Sequence, residues 1–344
     1  LNSLLLLIAI TTFAQENYTQ EEGKVTQHEV SMTKYENDKD AEAVVIYDLG
    51  DYRFSTDYQR GFILNMKRRT KIKVLKQAGE KYATFEIPYY TGDHDWEDIY
   101  DIKGTTYNWD GKSLTKTELD MKSIFEEKIN ENVRVKKIAL SNVKEGSIIE
   151  FSYTIATPYF VNMREWQFQR KIPVIYSQLD YTAIPYYEYS YILKGATKFD
   201  KINSVVKNDD IRFGSLVYRE MIWTFGMNNL PAFRDEEFIS SEKDYMVSMI
   251  FQISTIHNPR GGKQSYISTW PELATDFHKD SDFGGYIKSS EKEGKKILPT
   301  LELDGKSQLE QAKIITRHVK SMYNWNGFYG RYSSGKVASF LKQK

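Results

Sequence analysis

Lys67, Arg69, Lys71 and Lys73 recur at every second residue. That spacing sets four cations about 7 Å apart on one face of an extended strand. Such a row could take phosphate. It equally suits a solvated edge strand that lysines protect from pairing, and the solvated edge is the reading adopted. Asp93, His94, Asp95, Glu97, Asp98 and Asp101 could supply oxygen ligands to calcium, but the run lacks the glycine and the terminal glutamate spacing of a calcium loop. It reads as a solvated loop. Asp276, His278, Asp280 and Asp282 also alternate, yet Ser281 stands where an EF-hand loop requires glycine. This second run reads as an exposed helix end and turn.

The remaining motifs are weaker. Gly111-Lys112-Ser113 and Gly305-Lys306-Ser307 match the end of a phosphate loop, but Thr106 and Thr300 occupy the positions of its first glycine. Ser31–Lys34 and Ser333–Lys336 fit Ser-x-x-Lys without any companion motif. His28-Glu29 lacks a second histidine at Met32, so zinc-protease spacing is absent. The five histidines are dispersed, and His318 sits between Ile315 and Val319 on a helical pattern, which reads as structural. Tyr176, Tyr181, Tyr186, Tyr187, Tyr189 and Tyr191 could form an aromatic platform for sugar or peptide, but alternating tyrosines more often pack across strands. No position is assigned a catalytic, cofactor-binding or metal-ligating role.

The elements around these residues are mainly β. Twenty-five tyrosines in 344 residues favour strands over helix bundles. Lysine plus arginine equals aspartate plus glutamate, so no global field draws nucleic acid or an anionic membrane. Leu64, Met66, Arg68, Thr70, Ile72 and Val74 alternate with the cationic row, the period of a half-buried strand. Asp110-Gly111 marks a hairpin, and a turn at Glu145-Gly146 leads into the alternating IIEFSY. Pro173, Pro185 and Pro231 punctuate a second β-rich stretch at strand edges. The expected division is an antiparallel β domain over 24–160, a second sandwich region over 161–262, and helices over 266–344. The boundary lies in 258–268, and no fixed-period repeat or low-complexity linker appears.

Two capping boxes announce the helices, Thr269 with Glu272 and Ser307 with Glu310. Leu309, Ala312, Ile315, Val319 and Met322 share one apolar face after the second. A further apolar run, Val337, Ala338, Phe340 and Leu341, reaches the last residues, so these helices read as the opening of a domain whose partner surfaces lie downstream. At the other end, LNSLLLLIAITTF followed by Ala14 reads as a partial signal peptide over 1–14. The apolar run is too short to span a bilayer. The expected product is exported, to the periplasm, the cell envelope or the exterior, with no integral membrane segment after cleavage. With no cysteine, its stability comes from its core.

HVKSMYNWNGFYGRYSSGKVASFLKQK resembles the stretch before the nucleophile in bacterial transglutaminase-like domains of papain type. In that family a Gly-x-Cys motif follows, with Cys, His and Asp in chain order. This sequence has no cysteine, so none of that triad is carried onto a position here. DIKGTTYNWDGKSLTKTEL, IALSNVKEGSIIEFSYTI, WQFQRKIPVIYSQLDYTAIPYYEYSY and NNLPAFRDEEF resemble a domain of unknown function that precedes transglutaminase-like domains in exported bacterial proteins. The resemblance spans about residues 55–344. It implies antiparallel β-sandwich domains followed by the first helices of an α+β transglutaminase-like domain. It also implies that this stretch alone is not a competent enzyme, whereas a longer form would perform cysteine-dependent acyl transfer or peptide hydrolysis on envelope or extracellular protein. The alternative is a non-catalytic scaffold that binds protein or glycan. Oligomeric state and cofactor use are not legible, and no cofactor is implied.

The leader generates the first test. The mature protein is expected to begin near Gln15, and amino-terminal sequencing that finds Leu4–Leu7 retained in a soluble cytoplasmic product would overturn that expectation.

Overall fold

The computed structural model describes residues 18–92, 96–258, 261–266 and 269–324, together with residue 339. The proposed leader, Asp93–Asp95, and the apolar run at Val337, Ala338, Phe340 and Leu341 lie outside the described residues. The chain divides into two compact units, Leu1–Tyr266 and Ile267–Lys344.

The first unit is mainly β. Its strands in chain order are β1 (Ala43–Asp57), β2 (Gly61–Val74), β3 (Thr84–Tyr90), β4 (Asp98–Trp109), β5 (Leu114–Glu118), β6 (Phe125–Lys128), β7 (Val133–Ala139) and β8 (Ile148–Thr157). They continue as β9 (Trp166–Gln167), β10 (Val174–Ala183), β11 (Tyr187–Lys194), β12 (Lys201–Val206), β13 (Ile211–Phe213), β14 (Leu216–Tyr218), β15 (Met221–Leu230), β16 (Ser248–His257) and β17 (Lys263–Ser265). Eight of these form one sheet in the order β12-β15-β10-β1-β2-β8-β4-β5. Smaller sheets are β3-β7-β6 and β11-β16-β17 with β9 joined to β16. Apart from the parallel pair β1/β10, neighbouring strands are antiparallel. That parallel pair places residues 43–57 beside 174–183 in one sheet, so the large sheet runs without interruption across the division expected near residue 160.

The local signals act as chemistry requires. Gly111, at φ 95°, closes the β4–β5 hairpin, and Gly146, at φ 87°, turns the chain into β8. Pro173 and Pro231 stand just outside β10 and β15, where no ladder hydrogen bond is lost. The inner face of the large sheet packs on both small sheets in one core. Leu64, Ile149 and Leu179 share that core with Ile87 and Ile138 of β3 and β7 and with Trp166, Met249 and Phe251 of β9 and β16. Most of the tyrosine series belongs to this packing: Tyr181 and Tyr189 against Phe251, Tyr187 between Phe54 and Phe160, Tyr186 against Phe62.

β2 is not an edge strand. It is the fifth of eight, between β1 and β8, and both its faces are covered. On the inner face Arg68 donates from Nε and Nη2 to Asp48, at 2.8 and 2.6 Å, and Arg170 donates to the same carboxylate at 3.0 and 2.6 Å. Arg68 also lies over the Trp166 ring, 4.7 Å from its centroid. Gly50, paired with Arg68 across β1/β2, makes this possible. A Cβ there would stand 2.7 Å from Trp166 Cζ3 and 2.7 Å from Leu179 Cδ1. Burial works to raise the Asp48 carboxyl, but the two guanidiniums overcome it and hold it at about 2.

In the second unit, α3 (Trp270–Lys279), α4 (Gly284–Ile297) and α5 (Gln308–Met322) follow two short helices of the first unit, α1 (Gln27–Ser31) and α2 (Glu242–Tyr245). Both expected capping boxes form, with Thr269 and Ser307 accepting from the amides of Glu272 and Glu310. Leu309, Val319 and Met322 on α5 are exposed. Among the described residues no helix is long and apolar enough to cross a membrane.

The arginine–aspartate cluster gives a direct prediction. Asp48→Asn strands two guanidiniums and is expected to cost about 3–5 kcal/mol at neutral pH. Because the folded Asp48 titrates below its ordinary 3.8, its contribution is present above that value and lost as pH falls toward 2. Urea unfolding should therefore show the gap between variant and parent closing below pH 4. A gap that is constant across that range would contradict the account.

Candidate functional site

The outer face of the large sheet carries a polar belt built by register. Tyr47, Lys71, Glu150, Thr105 and Glu118 are successive cross-strand partners over β1, β2, β8, β4 and β5. One rung along, Leu49, Arg69, Ser152 and Lys103 are aligned in the same way, and on the opposite side Lys73, Ile148, Tyr107 and Lys116. Paired side chains on one face stand roughly 4.5–5.5 Å apart at Cβ, so each rung is a contiguous row of chemistry.

The amino-terminal segment 18–31 lies across this belt, and its course explains why the cations of β2 are not solvated. Lys71 and Lys73 are 0 and 1% exposed. Lys71 Nζ donates to the carbonyls of Thr19 and Lys24, at 3.0 and 2.8 Å. It also lies 3.5 Å from Glu29 and 3.3 Å from Glu150. Lys73 Nζ donates to the carbonyls of Val30 and Gly146, at 3.0 and 2.7 Å. Glu29 is fully buried and doubles as the capping residue of α1, accepting from the amides of Thr26 and Thr19. Glu150 accepts from the Tyr47 and Tyr107 hydroxyls, at 3.2 and 2.7 Å, and from the Gly23 amide at 2.9 Å. Burial and the Glu150 charge push both phenols above their usual range, so they remain donors. The solvated-edge reading of Lys71 and Lys73 is thus corrected. The covering carboxylate, Glu29, comes from 42 residues upstream of Lys71, beyond the reach of any local pattern.

Beside this closed cluster a cavity of about 460 Å³ remains open. Its lining includes Arg69, Ser152 and Lys103 from one rung, Glu150 and Glu118 from the next, and Glu22 from the amino-terminal segment. Ile102, Leu119 and Met121 supply an apolar wall. No sequence motif marks it, because its residues are drawn from five strands, the stretch after β5 and the covering segment; the regular cationic row supplied the one signal, through Arg69.

The other singled-out residues do not converge. Glu97, read as part of a solvated loop, is 7% exposed and pairs with Arg164, while Asp98 meets Arg60 at 3.5 Å. Gly111-Lys112-Ser113 forms the hairpin turn, with both following amides bound to Asp110. His28 lies by Tyr18, His257 by Glu188, His278 ends α3 and His318 lies on α5. Asp280 and Asp282 are exposed in the turn after α3. Among the described residues no group of three or more His, Cys, Asp or Glu is placed to hold a metal ion.

Comparison with known proteins places this geometry in context. Residues 65–234 match the family described as a Domain of Unknown Function with solved structure, DUF3857. The crystal structure of a "putative protease" from Parabacteroides distasonis ATCC 8503 is similar at 16% identity and a TM-score of 0.60, over 88% of this chain. That likeness establishes a shared fold, and this chain spans 55% of the longer protein's length. A "putative nutrient binding protein" from Legionella pneumophila subsp. pneumophila aligns over 88% of this chain and 94% of its own at 9% identity. Its TM-score of 0.25 is too low to bear on the fold. No curated protein matches the chain.

Lys73 supplies the prediction of this section. Burial lowers its ammonium from the ordinary 10.5 to about 8. Between those values the unfolded chain holds more protons than the folded one, so this residue makes stability rise with pH. Lys73→Met should remove that rise, and the difference from the parent in urea unfolding should change steadily between pH 8 and 10. A pH-independent difference would show that the lysine titrates normally.

Proposed function

We propose that the first unit is the non-catalytic recognition module of an exported protein whose amide chemistry belongs to a transglutaminase-like region opening with α3 to α5. The single observation that supports this most is a fold held in common with 55% of a chain described as a protease. The buried carboxylates here are met by cations, Asp48 by Arg68 and Arg170, Glu29 and Glu150 by Lys71. A nucleophile needs a base within hydrogen-bond reach, and the polar belt instead satisfies its carboxylates with lysine, tyrosine and backbone amides. In the complete protein a cysteine thiolate, activated by histidine, would attack a protein amide and form a thioester as the C–N bond breaks and the amine leaves with a proton from that histidine. An amine or water would then resolve it. The β unit would hold the polypeptide being processed.

This chain should give no turnover above blank with fluorogenic peptide amides or in amine incorporation into casein. Turnover that survives repurification would overturn the non-catalytic assignment. The complete gene product should show turnover that iodoacetamide abolishes. An inert complete product would favour a purely scaffolding protein.

A further inference from the structure

We infer that the cavity beside Glu150 is a binding site for a carboxylate-bearing peptide segment, held by the row Arg69–Ser152–Lys103. Its geometry stands alone, and only the choice of peptide as ligand class rests on the recognition role proposed above. The three side chains are cross-strand partners on β2, β8 and β4, and all line the cavity. Together they present a guanidinium, a hydroxyl and an ammonium, the donor set that a carboxylate accepts from.

The two cations of the row are only loosely held. Among the described residues Arg69 has no carboxylate partner, and its one hydrogen bond is a 3.4 Å contact from Nη1 to the Gln20 carbonyl. Ser152 is 7% exposed as a residue and lines the cavity. Lys103 meets Glu22 at 3.9 Å, with both side chains largely in solvent. The Ser152 hydroxyl faces the open cavity, where it is free to donate to a ligand oxygen. The floor does not repel the ligand strongly, because the Glu150 charge is already met by Lys71, two phenols and an amide.

The remaining lining selects among anions. Glu22 and Glu118 at the rim would oppose a doubly charged phosphate, whereas they can accept from the amide or ammonium groups that accompany a peptide carboxylate. Ile102, Leu119 and Met121 offer cover to an aliphatic portion. The volume lies at the small end of ordinary ligand pockets, suited to one or two residues.

Titration of the chain with the dipeptide Ala-Glu, its carboxy terminus amidated here and in Ala-Gln so that the glutamate side chain is the one carboxylate, followed by ¹H–¹⁵N NMR, tests the site. Saturable binding is expected, with shifts at the amides of residues 103–105 and 150–152. Ala-Gln should bind at least about tenfold more weakly, the scale of one charge-assisted hydrogen bond. Arg69→Met should abolish saturation, and Lys103→Met, at a largely exposed side chain, should weaken binding several-fold without affecting folding. Equal affinity for Ala-Gln, tighter binding of inorganic phosphate, or unchanged affinity in folded Lys103→Met would each overturn the proposal. Because binding is read directly, turnover by this chain would defeat the non-catalytic assignment while leaving this site standing, and absent Ala-Glu binding would do the reverse.

Discussion

A strand carrying Lys67, Arg68, Arg69, Lys71 and Lys73 occupies the middle of an eight-stranded sheet, where Arg68 faces one side and Lys71 and Lys73 are buried on the other. Unpaired, a buried charge costs several kcal/mol, so each one placed inside demands a partner on its own face. The period of two divides the problem cleanly. Arg68 points inward to Asp48 and shares it with Arg170, while Lys71 points outward to Glu29 and Glu150. Each solution recruits distant chain: Arg170 lies 122 residues from Asp48, and Glu29 lies 42 from Lys71. The parallel pairing of β1 with β10, the seating of Trp166 against Gly50, and the course of residues 18–31 all serve this charge balance. Ion pairs of this kind stabilise less than apolar packing would, but they penalise wrong registers severely. A one-residue slip of β2 would turn Arg68 outward and Lys71 into the Leu64–Ile149 core.

The same rule separates what could be read in the sequence from what could not. Alternation at Leu64–Val74, the Asp110-Gly111 turn, the flanking prolines and the two capping boxes are local, since their energetics involve residues within a few positions of one another. All of these appear in the structure. Solvation of the outer face is not local. Nothing within ten residues of Lys71 tells that a capped one-turn helix from the amino-terminal region will lie over it. Alternation of apolar and charged residues signals two distinct environments, and the second need not be water. The acidic run shows the same failure on a smaller scale, because Glu97 is claimed by Arg164, 67 residues away. The tyrosine series, by contrast, needed no distant information to be read as packing.

Glu29 links the local and the distant. Its carboxylate completes the capping box of α1 and also contacts Lys71, so the five-residue helix, too short to persist alone, is held by the charge it neutralises. The covering segment is therefore polar in its attachment. Thr19 and Lys24 bind through backbone carbonyls, Gly23 through its amide, and apolar contact is limited to small clusters such as Met32, Tyr35 and Val44.

A polar seam cannot close as tightly as an apolar one, because its geometry is set by discrete hydrogen bonds rather than by filling space. Where the lysine, tyrosine and glutamate groups meet partner for partner, the covering segment lies flush. One rung away the row Arg69–Ser152–Lys103 has no matching carboxylate from the segment, apart from the loosely placed Glu22, and there the cavity remains. The void is thus the remainder of a charge balance that is complete at Lys71 and incomplete at Arg69. Beside a cluster matched as closely as that around Lys71, an unmatched donor row lining a cavity is a feature that the folding requirement does not account for. Recognition of a carboxylate accounts for it.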